Sequence, residues 1–255
     1  MPLIVFELDN RILNVALNRV SALNAVNSDL LKELEAGLKT YADNPNLAAL
    51  KLYGQGGCFS AGADIKELAG LDEQGIRFFH DLRERTFARL EHFPAPTIAV
   101  IEKYALGTGL ELALCCDFRI AAHTAKLGVP SAKLGIVESY EYMARLMRVV
   151  GPSQAKKIIF SGERIDGETA LAVGLVEEIV PSDDLWSRTA TLLERVSSNS
   201  IYSLRQSKKV LEECVRDPNL AEVKDTAEPM VKSIKTADFK EGVQSFLDKR
   251  QAKFK

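Results

Sequence analysis

Glu111 stands in the run Leu110-Glu111-Leu112-Ala113-Leu114-Cys115-Cys116, a carboxylate in an otherwise apolar segment directly after the turn Gly107-Thr108-Gly109. A dry ionised carboxylate is costly unless it is paired or used, and burial drives its pKa upward. Two readings follow: a proton-transfer group, or a structural glutamate offset by an arginine or a helix N-terminus. A second small-residue segment, Phe59-Ser60-Ala61-Gly62-Ala63-Asp64-Ile65-Lys66, ends the loop GQGGCFSAGAD at 54–64. Small side chains let a ligand approach the main chain, and the free N–H groups at a helix start can point at developing negative charge. The plain alternative is a strand-to-helix turn with Asp64 near the cap. Cys58 has no evident activating partner, and His80, His92 and His123 show no spacing that suggests a Ser-His-Asp or Cys-His pairing.

The elements around these groups can be read from periodicity. Residues 3–9 and 11–17 alternate as two strands about a turn at Asp9-Asn10. A helix capped at residues 27–29 is expected to reach about residue 43, with Leu30, Leu31, Leu34 and Leu38 on one face. An apolar strand at Leu47–Tyr53 delivers the chain to the first loop. A helix over 73–92, a break at Pro94 and Pro96, and a strand at Thr97–Ile101 follow. Gly107 to Cys116 reads as a buried helix and Phe118–Ala122 as a strand. Beyond residue 139 helices dominate, apart from a strand-like segment at Leu175–Val180. Strand–helix alternation followed by helices predicts an α/β core with a helical C-terminal region.

Bulk composition removes several classes of function. The 33 basic and 35 acidic residues are interspersed, and the formal charge of −2 provides no basic field for nucleic acid or an anionic membrane. The four cysteines have neither disulfide-framework nor zinc-ligand spacing, so no metal is expected. The opening MPLIVFELDN has no basic region followed by an apolar stretch, and no apolar run is long enough to span a bilayer. No membrane insertion and a cytoplasmic location are therefore expected.

FSAGADIKEL, followed some forty residues later by ALGTGLELALCCD, resembles the enoyl-CoA hydratase/isomerase (crotonase) family. LNRVSALNAV at 17–26, the 121–130 stretch, GERIDGETALAVGLVEEIVP at 162–181 and the tail at 239–255 extend the resemblance over nearly the whole chain. It implies an α/β fold, a crotonase-like spiral of β-β-α units over 1–195, and a helical C-terminal trimerisation region over 196–255. A homotrimer or dimer of trimers is implied, with an acyl-CoA thioester as substrate and no cofactor beyond coenzyme A as part of that substrate. The family's oxyanion hole falls on the backbone N–H groups of Ala63 and Thr108, and its first catalytic glutamate on Glu111. Ala61, Ile65 and Lys66 match coenzyme A contacts. Phe246 and Lys249 match tail positions that reach a neighbouring subunit's coenzyme A in some members.

Three departures stand out. Ser131 occupies the position of the second glutamate, Thr108 replaces a glycine, and Gly135–Tyr142 is more polar than the usual small-residue run. A β-branched residue at 108 requires that the turn keep this position out of positive φ. Glu138 lies one position before an alternative catalytic carboxylate of some members, so it is either an acid/base group or a cap of the following helix. The expected activity is of the enoyl-CoA hydratase/isomerase type with Glu111 as acid/base. A malonyl-type acyl-CoA decarboxylase and a non-catalytic CoA-binding homologue are the alternatives.

Overall fold

Asn10 and Arg11 both adopt positive φ, 43° and 76°, and make the tight turn between antiparallel strands β1 (Ile4–Asp9) and β2 (Ile12–Leu17). The turn thus sits one residue later than the expected Asp9-Asn10. This computed structural model describes residues 1–254; Lys255, the last residue of the expected C-terminal region, lies outside the described residues. Asn27 caps α1 (Ser28–Ala42) by accepting from the Leu30 N–H, and Leu30, Leu31, Leu34 and Leu38 are buried as their spacing predicts.

The chain continues through β3 (Ala49–Gly54), the one-turn α2 (Ile65–Leu68), α3 (Glu73–Glu91) and β4 (Thr97–Ile101). Next come β5 (Tyr104–Leu106), α4 (Thr108–Leu114), β6 (Phe118–Ala122) and β7 (Lys126–Gly128). The long α5 (Tyr140–Ser161) is broken at Gly151, φ 75°, immediately before Pro152, which has no N–H to donate. It is followed by β8 (Ile165–Asp166), α6 (Gly167–Ala172), β9 (Glu178–Val180) and α7 (Leu185–Ser197). The C-terminal region is α8 (Ile201–Arg216), α9 (Glu228–Ser233) and α10 (Ala237–Leu247).

The main sheet has the order β1-β2-β3-β4-β6-β9, parallel after the first hairpin. All five residues of β4 are buried, the continuous apolar run expected of a strand covered on both faces. A second sheet, β5-β7-β8, stands apart from it. Its strands are too short to carry a two-residue period, and sequence reading placed none of them. In the first sheet β3 delivers the chain to the first small-residue loop and β4, through β5, to the second, and strands β5 and β7 of the second sheet hold both turns by main-chain hydrogen bonds. Among the described residues no helix is long and apolar enough to cross a membrane.

Candidate active site

The first small-residue loop is laced to the 17–26 segment. The fully buried Asn24, in a left-handed conformation with φ 56°, donates from Nδ2 to the carbonyls of Cys58 (2.7 Å) and Gln55 (3.0 Å). Its own carbonyl accepts from Ser60 Oγ at 2.8 Å, and its Oδ1 accepts from the Arg19 N–H at 2.8 Å. Val26 then forms a parallel bridge with Ala63: its N–H donates to Gly62 O and its carbonyl accepts from Asp64 N, each at 2.8 Å. In an extended chain consecutive amides alternate sides, so these two bonds turn the N–H of Ala63 away from Val26. Asp64 caps α2 through the N–H groups of Lys66 and Glu67, and pairs with Arg19 at 2.6 Å.

The second turn is tied to the first. Ser60 N donates to Tyr104 O at 2.8 Å and Leu106 N to Ser60 O at 3.2 Å, while Gly107 N donates to Gly128 O at 2.9 Å in β7. Gly107 adopts φ 49°, ψ −124°, a conformation open in practice only to glycine, and a Cβ there would meet nothing within 4 Å. Its glycine is therefore required by backbone conformation alone. Gly109 is the opposite case: a Cβ would lie 2.7 Å from Ser60 Cβ and Oγ, so the two turns touch. Thr108 is the first residue of α4 and is not among the positive-φ residues, so the turn does keep the branched side chain in a permitted region. The N–H groups of Ala63 and Thr108 donate no hydrogen bond to another described residue.

Glu111 is 0 % exposed. Its Oε1 accepts from Arg145 Nη1 at 2.9 Å, and its Oε2 lies 3.5 Å from Arg83 Nε without forming a hydrogen bond. The offsetting arginine left open by the sequence is thus present, and there are two. Even so, burial pushes the Glu111 carboxyl up to about 8; Arg83 and Arg145 pull it down, while Glu84 and Glu138 add to the rise. The arginines are not Glu111's alone. Arg145 also binds Glu84 at 2.7 Å and Glu91 at 2.9 Å, and Arg83 holds Glu84 at 3.0 Å. With Arg148 on Glu91, three guanidiniums are shared among Glu84, Glu91 and Glu111, so Glu111 does not have a counter-charge to itself, and Glu138 nearby further disfavours its ionised form. None of the arginine partners was legible beforehand, because all reach the helix from distant segments.

Ser131 follows Pro130 in a short 3₁₀ turn after β7, and is buried. Its hydroxyl donates to Glu138 Oε1, which brings a carboxylate to the place where the sequence lacks one. Glu138 does not cap α5; Ser139 does, accepting from the Tyr142 N–H. The fully buried Tyr142 donates its hydroxyl to Gly107 O at 2.7 Å. Sequence reading assigned Tyr142 no role.

The remaining candidates are more scattered. Ala61 lends its N–H to Leu23 O at 2.9 Å, while Ile65 and Lys66 are exposed at the start of α2. Phe246 is 83 % exposed and lines a groove of about 370 Å³ with Ser200, Thr236, Phe239 and Phe254. None of the residues lining that groove comes from the 54–66 loop, so a single chain does not bring the tail and the loop together there. His92 and His123 are surface partners of Glu212 and Glu168. His80 could share a cation with Glu84 and Glu141, but both oxygens of Glu84 already accept from arginine. Cys58, Cys115 and Cys116 are buried, and burial raises all three thiols, Cys116 to about 12, which makes them poor nucleophiles.

Residues 7–255 match the family model described as enoyl-CoA hydratase/isomerase. A crotonyl-CoA hydratase from Syntrophomonas wolfei is 34 % identical over 252 residues, covering 98 % of this chain and 97 % of that protein. A 2,3-dehydroadipyl-CoA hydratase from Escherichia coli K12 is 34 % identical, covering 100 % and 99 % respectively. Among solved structures, an enoyl-CoA hydratase from Bacillus anthracis superposes with a TM-score of 0.94 at 33 % identity, covering 99 % of each chain. With its crotonase fold, this chain belongs to the enoyl-CoA hydratase/isomerase family of acyl-CoA enzymes.

Proposed function

We propose that the protein hydrates a 2-enoyl-CoA, holding the thioester oxygen with the N–H groups of Ala63 and Thr108 and moving a proton with Glu111. The observation that carries this reading is the orphaned Glu111 Oε2, a fully buried carboxylate oxygen with no hydrogen-bond partner among the described residues. Such an atom costs stability where it stands, and a reacting group beside it accounts for its retention. Amides held in place before the substrate arrives stabilise an enolate oxygen without reorganising, and each such donor is worth about 10²–10³ in rate.

In this scheme Glu138, oriented by Ser131, takes a proton from water as the water oxygen bonds to the β-carbon. Glu111 gives its proton to the α-carbon as the enolate collapses, and exchange with solvent resets both carboxyls. Coenzyme A enters as part of the substrate and no other cofactor is required. Ala61, Ile65 and Lys66 contact it, and Phe246 and Lys249 contact the coenzyme A of a neighbouring subunit. That last role agrees with the exposure of Phe246 away from its own chain's loop. Residues 1–195 form the spiral core and 196–255 the trimerisation region of a homotrimer or dimer of trimers in the cytoplasm. Leu211, Val215, Met230, Phe246 and Leu247 give that region an exposed apolar surface to cover.

A second reading, decarboxylation of a malonyl-type thioester, is favoured by Ser131 and by the arginines on Glu111. It needs the enolate hole but no pair of acids. Rates on crotonyl-CoA and methylmalonyl-CoA separate the two: hydration of the former, lost in Glu111→Gln, is expected. Carbon dioxide release from the latter without hydration would replace the first reading by the second. Tight acyl-CoA binding with neither reaction would make the chain a non-catalytic CoA-binding homologue.

A further inference from the structure

The peptide between Gly107 and Thr108 is one rigid plane with its carbonyl oxygen at one end and the Thr108 N–H at the other. Its oxygen accepts two hydrogen bonds, from Tyr142 Oη at 2.7 Å and from the Glu111 N–H at 3.0 Å. The second is the ordinary first bond of α4. The first comes from another helix, α5, and spans 35 positions of sequence. Nothing in the local turn chemistry calls for it, since Gly107 already accepts the helical bond and is itself tied to Gly128 through its N–H.

We propose that Tyr142 is a positioning residue for the oxyanion hole: its hydroxyl fixes the Gly107–Thr108 peptide plane and polarises it, so that the Thr108 N–H is aimed and strengthened as a donor. The inference rests on the proposed role of that N–H. Two physical effects act in the same direction. A planar peptide held at its oxygen resists rotation, and at φ 49°, ψ −124°, with no side chain to pack, Gly107 is restrained only by its hydrogen bonds, of which the one from Tyr142 adds a second anchor on the carbonyl. A hydrogen bond accepted at the carbonyl also draws electron density from the nitrogen, which makes the N–H a better donor in a low-dielectric interior. Burial first, then the nearby Glu138 and Glu111, push the Tyr142 phenol well above its usual range. The group therefore remains a hydroxyl, able to donate, throughout the working pH range.

The ring of Tyr142 packs in the main core, so Tyr142→Phe keeps the packing and removes only the hydroxyl. Loss of a whole oxyanion donor costs about 10²–10³ in kcat, and a donor that is only loosened should cost about tenfold, with KM within about twofold because the effect belongs to the transition state. A merely structural tyrosine would lower stability and leave the thioester untouched. The discriminating readout is the infrared carbonyl stretch of bound butyryl-CoA labelled with carbon-13 at the thioester carbon, a saturated probe that hydration cannot consume. The parent protein should shift this band to lower frequency, and Tyr142→Phe should lose a clear part of that shift. Incorporating fluorinated tyrosines at 142, which keep the hydroxyl and the fold while making it a stronger donor, should increase it. An equal shift in all of these proteins, with kcat within about twofold, overturns the inference while the Ala63–Thr108 reading stands. A parent protein with no shift removes that reading, and this inference with it.

Discussion

Replacing Glu111 by glutamine should change the dependence of stability on pH as well as activity. In the folded chain the carboxyl is pushed up to about 8 from an ordinary 4.5. Below about 4.5 folded and unfolded chains both carry the proton, and the group contributes no pH dependence. As pH rises from 4.5 to 8 the unfolded chain releases its proton while the folded chain keeps it, so stability falls; above 8 both are ionised and the penalty is complete. At about 1.36 kcal/mol per pH unit the interval amounts to about 5 kcal/mol. That figure is a ceiling, because water entering the site and rearrangement of the shared arginines relax the field. Glutamine keeps the shape and cannot ionise. Denaturant unfolding of the parent and Glu111→Gln at pH 5.5 and 8.5, at one protein concentration, should show the variant gaining about 2–3 kcal/mol relative to the parent over that interval. A difference constant to within about 0.5 kcal/mol would mean that Arg83 and Arg145 keep Glu111 ionised throughout, and would refute the argument that burial outweighs them. The hydration rate of the parent should decline through the same region, since Glu111 donates in that direction.

Thr108→Pro deletes one of the two proposed donors at the first position of α4, where proline is tolerated; kcat should fall about 10²–10³-fold with the folded structure retained by circular dichroism. Gly109→Ala pushes a methyl group against Ser60, separating the two turns, and is expected to cost about 1–3 kcal/mol in denaturant unfolding together with at least a tenfold loss of kcat/KM. Ser131→Ala frees the Glu138 carboxylate, and Glu138→Gln removes it. If the pair acts as a unit the two single variants and the double variant should show similar losses of hydration rate, and additive losses would break the link between them.

What could be read from the sequence, and what could not, follows the range of the interactions involved. The cap and period of α1, the helical stretch of α3 and the continuous apolar run of β4 are local features, and these elements form where the sequence places them. The two turns were visible as small-residue loops because close main-chain approach excludes larger side chains locally, as Gly109 against Ser60 demonstrates. Strands of two or three residues such as β7 and β8 have no period to detect; they exist because neighbouring segments bring them together. Tyr142, Arg145 and Arg83 were silent for a related reason. Each contributes one atom to α4 from a sequence separation of about thirty positions, and no one-dimensional pattern encodes which of many arginines or tyrosines does so. Asn24 is intermediate: it lies in the 17–26 motif visible in the sequence, but it clamps the loop at Gln55 and Cys58 across more than thirty positions, a pairing no local pattern encodes.

The same division explains why Ser131 alone misleads. Judged by position it marks a lost acid, and it favours a decarboxylase or an inactive homologue. Judged by contact it is a hydroxyl that holds Glu138 beside the site, seven residues along the chain. A carboxylate reached this way differs from one carried on the turn itself. It hangs from the segment leading into α5, the helix that also supplies Arg145 to Glu111 and Tyr142 to Gly107. One helix and the residues entering it therefore touch both proposed acid/base groups and the peptide of one oxyanion donor. A shift of α5 would change all three together, so substitutions on its buried face should alter rate more than their distance from the thioester suggests. Leu146→Ala, buried on α5 and bearing no chemistry, is the direct check: a loss of kcat much larger than that of an equally destabilising core truncation such as Leu38→Ala would establish the coupling, and equal losses would dismiss it.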